Sequence, residues 1–228
     1  VTEQNESLIN HSERQPSERA VIFTGGRLGS WAFPHIGDSD FLIGADRGAS
    51  FLVEHGYAPD LALGDFDSVD ANQMTRIRQS AKELLIFDAI DKDWTDTELA
   101  LNEALSRGYR QIAIIGGLGT RFDHSLANVH LLRQAVSVGC DASLIDEHNE
   151  IFLCTSECRL PQDERFPYVS LLPLTSEVTG IELQGFQYPL HNATLRIGWT
   201  LGISNVIAEN TGVVKIDSGE LFVIKSRD

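Results

Sequence analysis

From Ala20 onward, short apolar runs alternate with longer stretches in which apolar positions recur at helical spacing. A short run that is apolar throughout is the signature of a strand buried on both faces. The runs Ala20–Thr24, Phe41–Gly44, Leu61–Leu63, Leu84–Phe87, Gln111–Ile115 and Ala142–Ile145 have this character. A helix is predicted from Thr95, where Thr95 and Glu98 have capping-box spacing, through Leu99, Leu101, Ala104 and Leu105 to a stop at Gly108. A second is predicted from about His124 to Val138, with Leu126, Val129, Leu132 and Val136 in one stripe, Asp123 as cap and Gly139 at its end. Such alternation predicts a mostly parallel, Rossmann-like sheet flanked by helices, an α/β fold.

After about Asn149 the helical period disappears. Pro161 and Pro167 bracket a polar loop or hairpin, and Leu195, Ile197, Trp199, Leu201 and Ile203 fall on one face at period two. Leu221–Ile224 forms a terminal strand, so the second half is predicted to be a small antiparallel β-sandwich domain. The expected divisions are a polar, flexible extension over residues 1–19, an α/β domain over 20–147 and the β domain over 148–228.

Charge narrows the partners. Thirty-three acidic against 18 basic residues give a net charge of −15, which argues against nucleic acid and an anionic membrane surface and favours a cationic ligand or a metal. The longest apolar runs fall well short of the roughly 20 residues a bilayer span needs, and the first residues have no signal-peptide pattern, so a soluble protein is expected. Three cysteines, Cys140, Cys154 and Cys158, are too few and odd in number for a disulfide framework, which suits a reducing, cytoplasmic setting. Cys154 and Cys158 are close enough in sequence to share a metal, but no second pair stands at zinc-finger spacing.

The acids collect after the predicted strands, where an open parallel sheet binds its ligands. Asp46 follows the second run, Asp65 and Asp67 the third, Asp91, Asp93 and Asp96 the fourth, and Asp123 the glycine-rich turn after the fifth. Carboxylates gathered on one rim repel one another unless a cation lies between them, and Mg2+ prefers such oxygen ligands together with substrate phosphates. Gly116-Gly117-Leu118-Gly119-Thr120-Arg121 offers backbone that can approach a phosphate and a bidentate arginine, and Thr24-Gly25-Gly26-Arg27 offers a second such turn. Neither a Walker lysine motif nor GxGxxG is present, which argues against a P-loop enzyme or a dinucleotide dehydrogenase.

Taken in order, Ala45-Asp46-Arg47-Gly48-Ala49, Pro59-Asp60, Gly64-Asp65-Phe66-Asp67-Ser68, Lys92 to Ala100 and Arg121-Phe122-Asp123-His124 resemble the thiamine pyrophosphokinase family. Downstream, Ser170 to Leu174, Gly185 to Leu190 and Gly202-Ile203-Ser204-Asn205 resemble its thiamine-binding domain. Arg47 stands where glycine is common in that family, and Tyr188 where tryptophan is frequent. The resemblance implies a nucleotide-binding catalytic domain followed by a thiamine-binding one, and transfer of a pyrophosphoryl group from ATP to the thiamine hydroxyl with Mg2+ as cofactor. On it, Asp65, Asp67 and Asp96 are assigned to catalysis and metal, and Asp46, Lys92, Thr95, Arg121 and Asp123 to ATP. Ser204, Asn205 and Tyr188 are assigned to thiamine, with Trp199 a further flat face for the cationic ring. It also implies a homodimer whose active sites are shared between chains. Two rivals remain at this point. Asp65-Phe66-Asp67-Ser68-Val69 also fits the signature of a phosphatase with an aspartate nucleophile, although that group places it after the first strand. The other is a non-catalytic sensor of nucleotide or thiamine.

Overall fold

The computed structural model describes residues 19–87 and 94–228. Lys92 lies outside them. In chain order the first half runs β1 (Arg19–Phe23), a 3-10 helix (Ser30–His35), β2 (Phe41–Ala45), α1 (Arg47–Glu54), β3 (Leu61–Gly64), α2 (Ala71–Ser80) and β4 (Glu83–Ile86). It continues with α3 (Asp96–Ser106), β5 (Gln111–Ile115), α4 (Phe122–Ser137) and β6 (Asp141–Ile145). The strands β6-β5-β1-β2-β3-β4 lie side by side, all parallel.

Period two divides these strands between two cores. Ala20 and Ile22 face a core shared with α3 and α4, whereas Val21 and Phe23 face the opposite side, against the 3-10 helix and Leu52 of α1. Burial on both faces is why these strands read as continuous apolar runs.

The second half contributes β7 (Asn149–Cys154), β8 (Glu157–Pro161), β9 (Tyr168–Pro173), β10 (Glu177–Gln184), β11 (Ala193–Arg196), β12 (Asn205–Val206), β13 (Thr211–Lys215) and β14 (Leu221–Ser226). It is antiparallel, as expected, and it is joined to the first half. Among the described residues, β7, β14, β9 and β12 extend the parallel strands into one ten-stranded sheet, and β11-β10-β13-β8 form a separate four-stranded sheet packed against that extension. On β14, Leu221 and Val223 face the core between the two sheets, while Phe222 faces the core beneath α3 and α4. One strand thus stabilises both halves by burial.

Two helices differ from expectation in detail. The Thr95 hydroxyl accepts from the Glu98 N–H at 3.2 Å, but Glu98 does not complete the box; its carboxylate accepts from Gln134 of α4 at 2.8 Å. Helix α4 begins at Phe122 with Arg121 as its N-cap, so Asp123 lies inside the first turn and does not cap. Its buried face is Ser125, Asn128, Leu131, Leu132 and Ala135, leaving Leu126 exposed. The stripe is rotated because Ser125 and Asn128 are needed inward, as described below.

The period-two run in the second half also breaks. Strand β11 ends at Arg196, and Gly198, at φ +87°, leaves the extended region. Ile197, Trp199, Leu201 and Ile203 therefore lie on an exposed turn rather than in a strand.

Near the end of β14 the buried Lys225 ammonium donates to Glu150 at 2.6 Å and to Asp163 at 3.3 Å. Asp163 also holds Arg165 at 2.9 Å, and the arginine's hydrogen bond keeps the Asp163 carboxyl well below the usual carboxylate range. Lys225→Met would leave two carboxylates facing each other without their shared cation. We expect it to cost about 2–3 kcal/mol in urea unfolding, less than for a fully buried pair because the carboxylates are partly hydrated. A change below about 0.5 kcal/mol would mean that the network contributes no more than a surface pair.

Candidate active site

The chain runs from β1 outward through β2, β3 and β4, then crosses back to place β5 on the other side of β1. The carboxyl ends of β1 and β5 therefore form a switch point, where two loops leave in opposite directions and open a crevice. A cleft of about 800 Å3 lies there, lined by Gly25, Gly26, Asp46, Asp96, Gly116 and Arg121 among others.

One wall consists of two glycine turns held against each other. A Cβ on Gly26 would come within 2.0 Å of the Gly116 carbonyl oxygen, so only glycine allows this approach. Thr24 ties the turns together, its hydroxyl donating to Gly116 O at 2.6 Å. From beneath, Asn128 donates to Gly117 O at 2.7 Å and the Ser125 hydroxyl accepts from Gly119 N–H at 3.0 Å. These supports were not foreseen. Their signal in the sequence was a pair of small polar residues interrupting the apolar stripe of α4. We expect Gly26→Ala to push the turns apart and raise the dissociation constant for ATP at least tenfold, as read by calorimetric titration; an unchanged value would remove this wall from the nucleotide site.

Acids gather beside the cleft: Asp46 and Asp96 line it, whereas Asp65 and Asp67 adjoin Asp46 without lining it. Phe66, at φ +57° and buried against Ala49, Val53, Ala62 and Ile77, pins the loop after β3 so that Asp65 and Asp67 flank an anchored ring. Asp46 is also at positive φ, +49°, directly after β2. Non-glycine residues in that region cost on the order of 1–3 kcal/mol each and persist where surrounding structure enforces them. Carboxylate oxygens of Asp46, Asp65 and Asp67 lie within 4.8 Å of one another. Ser68 donates to one oxygen of Asp46, while the other, Oδ1, is buried with no hydrogen-bond partner among the described residues. Burial, with smaller contributions from Asp96 and Asp65, raises the Asp46 pKa above its ordinary value. Repelling carboxylates with an orphaned buried oxygen are a donor set suited to a hard cation. Asp46, assigned from sequence to ATP, thus joins Asp65 and Asp67, while Asp96 lines the cleft at the start of α3.

The cleft also receives the N-termini of α1, α3 and α4, whose free N–H groups and dipoles favour anions. Arg27, Arg47 and Arg121 add positive charge. Arg121 is held by Asp123 at 2.6 Å, which lowers the Asp123 pKa, so Asp123 positions the guanidinium. Thr95 lines the cleft with its hydroxyl already engaged by Glu98 N–H.

Tyr188, Ser204 and Asn205 do not line this cleft. Asn205 is buried: its Oδ1 accepts from the N–H groups of Tyr188 and Val206 at 3.1 and 2.9 Å, and its Nδ2 donates to Tyr188 O at 2.7 Å. It thereby clamps the Tyr188 backbone. Ser204, at φ +59°, and the Tyr188 ring are exposed beside that clamp.

A cleft of glycine turns, helix N-termini and arginines with carboxylates gathered beside it fits a transferase of the kinase type. Residues 35–144 match the catalytic domain of thiamin pyrophosphokinase, and residues 157–221 its vitamin B1 binding domain. The thiamine pyrophosphokinase of Bacillus subtilis strain 168 is 37% identical over 187 residues, which is 82% of this chain and 87% of that protein. A crystal structure of thiamine pyrophosphokinase from Bacillus subtilis superposes with a TM-score of 0.86 at 33% identity, covering 92% of this chain and 99% of the other. One from Geobacillus thermodenitrificans gives a TM-score of 0.83 at 32% identity, covering 92% and 98%. The chain belongs to the thiamine pyrophosphokinase family, and with that the aspartate-nucleophile phosphatase is set aside. Among the described residues no helix is long and apolar enough to cross a membrane.

Proposed function

We propose that this chain transfers a pyrophosphoryl group from ATP to thiamine, releasing AMP, in a site completed by a second copy of the chain. The observation that supports the reaction is the switch-point cleft, where Asp46 and Asp96 line the same space as the glycine turns and arginines and Asp46 stands within 4.8 Å of Asp65 and Asp67. In this reading the glycine turns and helix N-termini cradle the triphosphate, and Arg27, Arg47 and Arg121 hold its outer oxygens. Lys92, by resemblance, adds a further cation. Asp46, Asp65 and Asp67, with Asp96 nearby, would hold Mg2+, which when bound neutralises charge on the phosphates. The thiamine hydroxyl oxygen bonds to the β-phosphorus, the bond from that phosphorus to the AMP oxygen breaks, and Asp65 or Asp96 accepts the hydroxyl proton. Positioning and charge neutralisation supply the rate, with no covalent enzyme intermediate.

Distance supports the second copy. Asn205 lies on β12, seven strand positions from β2, which carries Asp46 at its end. At about 4.8 Å per strand, that is roughly 30 Å, far longer than thiamine. If Tyr188 and Ser204 contact thiamine, the Tyr188 side of one chain must meet the acids of another. Exposed Ile197, Trp199, Leu201 and Ile203 beside Ser204 supply apolar surface for such a contact.

The direct test is to incubate the protein with ATP, Mg2+ and thiamine and to measure AMP. AMP should appear only with all three present, cease on chelation with EDTA and return with added Mg2+. Because burial raises the Asp46 pKa above its ordinary value, protonation competes with the metal, and the Mg2+ needed for half-maximal rate should rise as pH falls toward that raised pKa. Binding of both substrates without AMP release would favour the non-catalytic sensor.

A further inference from the structure

The three cysteines play no part in the site above, yet all three line one cavity of about 470 Å3. It lies at the end of α4 and the start of β6, the opposite end of the parallel strands from the cleft. Cys140 stands just before β6, its thiol directed to the Asp141 carbonyl at 3.8 Å. Cys154 ends β7 and Cys158 lies near the start of β8, so a short reversal between the two sheets brings them back together. Both pack in the core between those sheets. Both side chains thus meet the same cavity and the same core, and each perturbs the other: interaction with Cys158 lowers the pKa of Cys154, while interaction with Cys154, then burial, raises that of Cys158.

We propose that Cys154 and Cys158 are a two-thiol redox site that a small peroxide converts to a disulfide. The cavity gives a small oxidant access to both side chains, Cys154 buried and Cys158 half-buried. The more acidic of two neighbouring thiols supplies the nucleophile, which makes Cys154 the attacking sulfur. Its thiolate attacks a peroxide oxygen, the O–O bond breaks, and the sulfur becomes a sulfenic acid as one water forms. The Cys158 sulfur then attacks that sulfur, the S–S bond forms as the S–O bond breaks, and the departing hydroxyl takes the remaining proton as a second water. Two thiols lose two electrons and two protons, and hydrogen peroxide is reduced to two waters. Cys140, directed to a backbone carbonyl, stays a thiol.

The test treats the reduced, folded full-length chain with dilute hydrogen peroxide, then unfolds it, alkylates the remaining thiols and maps the peptides. Two of the three thiols should be lost, with one reducible link between Cys154 and Cys158 and Cys140 fully alkylated. Cys158→Ser should abolish the link, and one equivalent of phenylarsine oxide should protect two thiols in the parent chain and none in this variant. A link through Cys140, a bond between chains, Cys154 driven to sulfinic acid without a link, or three thiols intact while unfolded chain reacts would each overturn the proposal.

Discussion

Replacing Asp65 with asparagine is expected to reduce AMP formation by on the order of 10³-fold, with the thermal unfolding curve unchanged. The substitution is nearly isosteric and retains the oxygen that accepts the Asp67 N–H at 3.1 Å, so the loop after β3 keeps its turn. It removes one negative charge from a group of three carboxylates whose oxygens lie within 4.8 Å. If that group holds the metal, losing a charge weakens both metal binding and the alignment of the phosphates, and turnover falls far more than thiamine affinity. Turnover within a few fold of the parent chain would show that Asp65 is neither a ligand nor a base. A fall in turnover accompanied by early unfolding would instead trace the effect to the loop.

The second large effect is restoration of activity by mixing two inactive chains. One carries Asp65→Asn, and the other Tyr188→Ala with Asn205→Ala, which removes the exposed ring and the amide that clamps its backbone. If each site takes its acids from one chain and its thiamine surface from the other, a mixed dimer has one site built from two unaltered surfaces. Random reassociation of equal amounts makes half the dimers mixed, each with one good site of two, so activity should return to about a quarter of the parent value. Recovery to that level would be hard to explain with sites confined to single chains. No recovery, with mixed dimers verified by native mass spectrometry, would place the whole site in one chain and contradict the roughly 30 Å separation argued from the strand spacing.

Much of the first half was legible because both faces of its strands are buried. Gln111–Ile115 is β5 to the residue, and the runs for β1, β2, β3, β4 and β6 lie within a residue or so of the strands observed. Helix α3 was legible from its cap, although only half of the box forms. Failures came where tertiary contact overrode local pattern. Leu126 has the spacing of a core residue but is exposed, because α4 turns Ser125 and Asn128 inward to hold the glycine turn. The run from Ile197 to Ile203 has the period of a strand, but positive φ at Gly198 takes the chain out of it.

The acidic rim was legible in kind, since Asp46 and Asp65 directly follow β2 and β3, and the loops that leave parallel strands lie along one edge of the sheet. Which acids come together was not. Asp46 joins Asp65 and Asp67 because β2 and β3 are neighbours in the sheet, a matter of strand order that no local pattern encodes. Asn205 read as a ligand contact, and only the folded chain shows that its amide also clamps the Tyr188 backbone.

By itself, the sequence determined the layered α/β architecture, the antiparallel second half, the family and the identity of the acids, because period, glycine placement and motif order are written along one dimension. Among the described residues, the tertiary structure decided that both halves share one ten-stranded sheet, that β14 serves two cores, and that β12, which carries Asn205, lies seven strand positions from β2. Those outcomes depend on which strands pair across long separations, where the deciding energy is burial between segments remote in sequence.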